Sequence, residues 1–283
     1  DQKTNILAID SLGFSADNLR KYRKMYKNTY GMILLTGPTG SDKTTTLYST
    51  LNELNSPTQN IITIEDPVEY RLPGINQVQV NKKAGMTFAT GLRSILRQDP
   101  NIIMVGEIRD LETAEIAIRA ALTGHLVLST MHTNDAAGAV TRLIDMGIEP
   151  FLVASSVLGV VAQRLMRHIC PECRQPYIPF PDSPEWLLVP ENAEPFSLLY
   201  QGAGCIHCGN SGYRGRLAAH EVLPMSPAIR DLVVRRASAT ELAKTAIAEG
   251  MKTIQQDGMK KVIEGRTSLK EMVRVTFSDN NER

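Results

Sequence analysis

The 283-residue chain is poor in aromatic residues (5%, with one Trp), nearly neutral (net charge +1), and without an apolar run long enough to cross a membrane. A helical span needs about 20 apolar residues, so no direct membrane insertion is expected. Binding of single-stranded nucleic acid needs a basic groove with stacking aromatics. The composition offers neither, so a helicase-like motor or a nucleic-acid-binding zinc ribbon gains little support and no nucleic-acid partner is expected. The opening DQKTNILAID lacks the basic-then-apolar order of a secretion signal. There are only four cysteines, in two close pairs. In a chain without such a signal this favours a metal site over disulfides, and a cytoplasmic location.

What is present is an ordinary soluble balance, 42% hydrophobic and 22% charged, in a length that suits one core of about 150–200 residues plus appendages. Residues 1–20 read as a leading segment, with Asp17 placed to cap a helix carrying Lys21, Arg23, Lys24 and Lys27 on a solvated face. MILLT (32–36), NIITIE (60–65), INQVQV (75–80), IIMVGE (102–107) and HLVLST (125–130) read as short strands. Helical patterns follow Lys43 and span Phe88–Gln98, closed by Asp99-Pro100, and Leu111–Leu122, ended by Gly124. Alternating strands and helices predict a mostly parallel α/β sheet covered on both faces over 21–168, which suits the RecA-like type of P-loop ATPase core, though the alternation alone would suit many α/β folds. VASSVLGVVAQRLM (153–166) reads as an apolar helix. A cysteine-bearing element over 169–215 has a proline-rich middle (Pro176, Pro179, Pro181, Pro184, Pro190, Pro195). A C-terminal helical subdomain over 216–283 has short helices from Ser226 to about Val275, separated by Gly250, Gly258 and Gly265, with SDNNER as a frayed tail.

Five motifs carry chemistry. GPTGSDKTTT (37–46) follows a strand, opens a helix, and fits G-x-x-x-x-G-K-[ST] except that Asp42 replaces the second glycine. Gly37, Pro38, Thr39, Gly40, Ser41, Asp42, Lys43, Thr44 and Thr45 form the candidate phosphate cradle. Its backbone N–H groups would point at phosphate, Lys43 would neutralise β/γ charge, and the Thr44 hydroxyl would ligate magnesium. Asp42 adds like charge and a Cβ where glycine permits close approach, which predicts weakened ATP binding unless the side chain turns to solvent. In IIMVGEIRD (102–110), Glu107 is placed to polarise an attacking water. A lone strand-end acid also serves as a cap or ion-pair partner, but the phosphate loop favours the first role. ITIEDPVEY (62–70) crowds Glu65, Asp66 and Glu69 around Pro67, either for a nucleotide-bound magnesium or as a solvated turn. GHLVLSTMHTNDA (124–136) places His132 past a strand's carboxyl end, where α/β ligands gather, and His125 at the opposite end, where a structural role fits as well. Cys170-x2-Cys173 and Cys205-x2-Cys208, with residues 174–204 between them, suit tetrahedral structural zinc more than redox or disulfide chemistry. His168 and His207 are spare ligands.

In this order and combination, the motifs resemble the secretion ATPases of type II secretion and type IV pilus assembly (GspE/PilB-like) over nearly the whole chain. The resemblance implies a Walker A loop at 37–46 binding ATP and magnesium, with Lys43 and Thr44 on phosphate and metal. It implies that Glu69 helps hold metal and water, Glu107 is the general base, and His125 and His132 serve the γ-phosphate side. It implies zinc on the four cysteines, an element of the assembly and secretion branch that retraction motors lack. Family members carry an upstream domain that supplies arginines across a hexamer interface. The chain is accordingly expected to be a motor-domain fragment, monomeric alone and homohexameric in the full-length protein. The expected setting is the cytoplasmic side of the inner membrane, held there by a platform protein and a cytoplasmic adaptor. A non-hydrolysing ATPase-fold scaffold with a zinc-stapled interaction module is the rival.

Overall fold

The computed structural model describes residues 7–179 and 198–277. The first six residues, Pro181, Pro184, Pro190, Pro195 and the SDNNER tail lie outside the described residues. Strands and helices alternate as α1 (Ala16–Tyr26), β1 (Gly31–Thr36), α2 (Lys43–Leu54), β2 (Ile61–Glu65), β3 (Asn76–Gln79), α3 (Phe88–Ile95), β4 (Ile102–Val105), α4 (Leu111–Leu122), β5 (Leu126–Met131), α5 (Ala136–Asp145) and α6 (Pro150–Ser156). There follow β6 (Val157–Ile169), β7 (Arg174–Tyr177), β8 (Leu199–Gly202), β9 (Tyr213–Pro224) and helices α7 (Pro227–Val234), α8 (Ala239–Ala248), α9 (Ile254–Ile263) and α10 (Leu269–Phe277).

The main sheet has the order β3-β2-β4-β5-β1-β6-β9, and the pairings among its first six strands are all parallel. The central strands are buried on both faces, which is why they read as unbroken apolar runs. Ile33 and Leu35 of β1, Ile102 and Met104 of β4, and Leu126 and Leu128 of β5 share one face with Tyr22 and Tyr26 of α1 and Leu47, Tyr48 and Leu51 of α2. Helices α3, α4 and α5 touch the sheet through β1, β2 and β5. Each fully buried aliphatic of this kind contributes about 1.5–3 kcal/mol, so the loop before α2 rests on a rigid base.

Three local expectations are corrected. Residues 157–166 belong to a strand: Val157, Val160 and Val161 are β-branched, and Ile33 to Thr36 pair in parallel with Gly159 to Ala162. Only Pro150–Ser156 is helical there. The cap of α1 is Ser15, accepting from Asn18 N–H, while Asp17 pairs with Arg20 and Lys21 from the first turn. Gly258 lies inside α9, where a Cβ would meet Met272 Cγ at 2.9 Å, so the missing side chain makes room between helices and does not punctuate them.

The chain divides into two compact units, Asp1–Gln163 with Glu221–Met251 and Arg164–His220 with Lys252–Arg283. The helices expected from Ser226 run from Pro227, after β9 ends at Pro224, but the subdomain drawn over 216–283 is divided: among the described residues α7 and α8 belong to the first unit, α9 and α10 to the second. In the second unit β7 pairs antiparallel with β8 beside the cysteines, and Glu271 of α10 is fully buried between Arg167 and Arg274.

Candidate functional site

The parallel register brings the segments after four strands out at one edge. Thr36 pairs with Met131, Val105 with both Ile64 and Ser129. The phosphate-loop segment, the acidic turn after Glu65, Gly106-Glu107 and His132 therefore emerge together, at the carboxyl ends where α/β sheets hold ligands. There they line a cavity of about 590 Å³.

On its first wall, Thr39, Gly40, Asp42, Lys43, Thr44 and Thr45 face the space. Gly37, Pro38 and Ser41 of the same loop do not line it. Gly37 has φ +151°, and a Cβ there would lie 2.4 Å from the Gln163 carbonyl oxygen, so only glycine fits where the loop leaves β1. Lys43 Nζ donates to the carbonyls of Gly37 (2.7 Å) and Pro38 (3.0 Å). Asp42 has φ +67°, the left-handed conformation that explains the usual glycine and that Asp tolerates better than most residues. Its half-buried carboxylate accepts the Thr45 hydroxyl at 2.9 Å. Burial first, and then the Asp42 charge, raise the Tyr70 phenol's pKa on the same wall.

Beneath the loop lies a support that sequence reasoning missed. Gln163 of β6, 1% exposed, accepts from Thr46 Oγ1 (2.8 Å) and donates to the Ser41 carbonyl (2.7 Å), tying the loop and the first turn of α2 to the sheet. Nothing in VVAQRLM marks Gln163, because its role depends on β6 lying beside β1.

The second wall is acidic. Glu69 lines the cavity and is exposed. Glu65, buried at 2%, accepts from Tyr48 OH, from Thr63 Oγ1 (2.5 Å) and from Gln77 Nε2 (3.2 Å). Burial first, and then the Glu65 carboxylate, push the Tyr48 phenol up and keep it a donor. Glu65 is thus the anchor of the acidic turn, and the turn's free carboxylates are Asp66 and Glu69. On the third wall Glu107, 13% exposed, pairs with Arg109 Nε at 2.6 Å and stands 3.6 Å from His132 Nε2. Thr130 Oγ1 donates to the Gly106 carbonyl at 2.7 Å, and Asp110 caps α4 through Thr113 N–H at 2.8 Å, fixing both ends of the segment that carries Glu107.

His125 is not brought to the cavity. It precedes β5 while His132 follows it, and its Nδ1 lies 3.0 Å from the Ala120 carbonyl at the end of α4. About 20 Å of strand separates the two histidines, so of the pair expected at one phosphate only His132 lines the cavity.

In the second unit Cys170, Cys173, Cys205 and Cys208 bring their sulfurs within 4.8 Å of one another, and neither His168 nor His207 joins the group. The sulfur separations of 3.9 Å (170 to 205), 3.9 Å (173 to 208) and 3.7 Å (205 to 208) match the edge of about 3.8 Å that four sulfurs at about 2.3 Å from a tetrahedral zinc would have. Burial alone would raise the Cys208 thiol, yet the N–H groups of Cys205 and Gly212, each 3.3 Å from its sulfur, hold it down to about 6. A Cβ on Gly202 would lie 2.0 Å from the Gly212 carbonyl oxygen, so the close approach of these two backbones requires glycine.

The model of the family described as type II/IV secretion system protein matches residues 1–274. The chain belongs to that family. It is 52% identical over 276 residues, 98% of its length, to the type II secretion system ATPase E of Vibrio cholerae serotype O1, of which it covers 54%. It is 49% identical over 274 residues, 97% of its length, to the type IV pilus assembly ATPase PilB of Thermus thermophilus, covering 31% of that protein. The chain thus spans about half or less of the length of these relatives. Among solved structures it is similar to the pilus retraction motor PilT with bound ADP, with a TM-score of 0.71 and 30% identity, covering 96% of this chain and 67% of that one. The four-cysteine group and the parallel α/β sheet are therefore features of a secretion-family member. Among the described residues no helix is long and apolar enough to cross a membrane.

Proposed function

We propose that this chain is the motor portion of an ATPase that turns ATP hydrolysis into the movement of pilin or pseudopilin subunits from the inner membrane into a growing filament. The observation that carries the reading is the meeting of Lys43, Thr44, Glu69, Glu107 and His132 on one cavity at the ends of β1, β2, β4 and β5. Each has a task in phosphoryl transfer to water. Backbone N–H groups at the start of α2 face the phosphates, and Lys43 exchanges its two loop carbonyls for β/γ oxygens. The Thr44 hydroxyl and Glu69 would hold magnesium, which when bound supplies charge neutralisation on the phosphate oxygens. Glu107 accepts the proton of the attacking water, and His132 donates on the γ side. Positioning and electrostatics supply most of the catalysis.

Asp42 weakens nucleotide binding in this chain, because its carboxylate occupies the anion-attracting end of α2. The four cysteines hold zinc as a closed, purely structural site, and the element favours assembly or secretion over retraction. The full-length protein works as a homohexamer on the cytoplasmic face of the inner membrane, attached through a platform protein and an adaptor. The rival, a non-hydrolysing scaffold, is favoured by Asp42 alone. The discriminating experiment is magnesium-ATP hydrolysis by the Asp42→Gly form. Turnover that Glu107→Gln lowers about 100-fold or more supports the motor. A glycine form that binds ATP without turnover supports the scaffold.

A further inference from the structure

Within the candidate site one cation is held in a way the phosphate-loop scheme leaves unexplained. Arg109 is 67% exposed, yet its Nε lies 2.6 Å from Glu107 Oε2, the same oxygen that faces His132 at 3.6 Å. Ile108 between them is 3% exposed and its N–H donates to the Thr130 carbonyl at 3.0 Å. With Ile108 buried between them, the ion pair sets the Glu107 and Arg109 side chains on the same side. Arg109 also reaches a neighbouring cavity of about 280 Å³ that contains Lys82, Thr87 and Asp110, so it stands at the boundary between two solvent-filled spaces.

The carboxylate proposed as general base is therefore engaged by a guanidinium before any nucleotide enters. With Oε2 already held by the guanidinium, a water entering the cavity has to compete with Arg109 for that oxygen. A terminal phosphate arriving beside Glu107 brings at least one negative charge and three acceptor oxygens, and guanidinium binds phosphate through a two-pronged fork. A two-pronged grip on phosphate through Nε and Nη requires Arg109 to release the Glu107 oxygen that Nε now holds.

We infer that Arg109 exchanges partners: it holds Glu107 while the cavity lacks a triphosphate, and turns to the terminal phosphate when one enters, leaving Glu107 free to receive the proton of water. Arg109 then joins Lys43 and His132 on the terminal phosphate, and is the one among them whose engagement there releases Glu107. The inference rests on the nucleotide reading proposed above, and extends it by making readiness of the base conditional on the third phosphate. The Glu107 side chain is little exposed and the Arg109 side chain mostly exposed, so the arginine is the partner with room to move.

The test uses the Asp42→Gly form of the chain, titrated calorimetrically with magnesium ADP and with a magnesium complex of a non-hydrolysable ATP analogue. Arg109→Gln is expected to weaken the analogue about tenfold or more and ADP less than about twofold. Glu107→Gln is combined with it in a double-mutant cycle. If Arg109 exchanges partners, Glu107→Gln tightens the analogue more when Arg109 is present than when it is Gln, because the competitor for the guanidinium has been removed. If the ion pair is permanent, Arg109 screens Glu107, and the gain is larger when Arg109 is absent. That sign, or equal weakening of ADP and analogue by Arg109→Gln, overturns the inference while leaving the nucleotide site intact. Failure of the glycine form to bind either nucleotide instead removes the nucleotide reading, and the inference with it.

Discussion

Replacing Asp42 by glycine separates backbone fit from pocket charge, because the structure predicts that one barely changes and the other changes strongly. At φ +67° an Asp side chain costs on the order of 1 kcal/mol, which glycine relieves; glycine in turn gives up about 0.5–1 kcal/mol through the freer unfolded chain. The lost Asp42–Thr45 hydrogen bond is worth about 1 kcal/mol at most, and Thr45 can rebond to water. Stability is thus expected to move by no more than about 1 kcal/mol. Nucleotide affinity behaves otherwise. The Thr45 contact holds the Asp42 carboxylate against the first turn of α2, beside the space the phosphates would fill. Two unit charges 4 Å apart repel by about 4 kcal/mol at an effective dielectric of about 20, and by about half that at twice the distance. Even after screening by water and counter-ions, 1.4 kcal/mol or more should remain, which is about tenfold in Kd. Titration calorimetry of a magnesium-ATP analogue on both forms measures it directly, and the ratio should shrink as salt is raised from about 0.05 to 0.5 M. Equal affinities at low salt would refute the electrostatic argument and show that the carboxylate is accommodated.

Three further outcomes follow from other parts of the molecule. Glu271 is fully buried; burial favours its neutral form, but hydrogen bonds from Arg274 and Arg167 prevail and lower its pKa from 4.5 to about 2. Its folded pKa lies below its unfolded one, so the stabilisation is complete above about pH 4.5 and fades as pH falls towards 2. Glu271→Gln should cost on the order of 3 kcal/mol in urea unfolding at pH 7 and progressively less below pH 4, whereas a pH-independent cost would contradict the ion-pair account. The purified protein should carry one zinc per chain by elemental analysis, and Cys208→Ser should abolish it and lower the thermal midpoint by several degrees; a zinc-free native protein of unchanged midpoint would rule the metal out. Gln163→Leu leaves the Ser41 carbonyl and Thr46 hydroxyl short of a partner inside the core, at a cost of about 1–3 kcal/mol in unfolding, and should weaken the ATP analogue more than it weakens zinc retention.

The motifs were legible because each couples a local backbone requirement to a chemical one. A strand, a glycine turn and a lysine at a helix start can be read from consecutive letters, and the parallel register then brings four such segments to one edge without further information. What escaped reading was non-local. VASSVLGVVAQRLM has enough apolar residues for a buried helix or a buried strand, and periodicity cannot separate the two. Pairing with β1 decides for the strand, and β1 lies more than a hundred residues earlier.

The same limit explains two misjudged polar groups. Gln163 supports the loop only because β6 lies beside β1, so its role vanishes if that segment is drawn as a helix. Glu65 was grouped with Asp66 and Glu69 by proximity in sequence, but it is the last residue of β2 and points among Tyr48, Thr63 and Gln77, while its two neighbours lie beyond the strand end. The sequence already sets His125 and His132 at opposite ends of one strand, and only the family resemblance assigns both to one phosphate. For Glu65 the residue type is legible and its direction is not; for Gln163 neither is. Direction depends on which strand pairs with which, and for Glu107 and Arg109, on either side of the buried Ile108, the ion pair sets both on the same side.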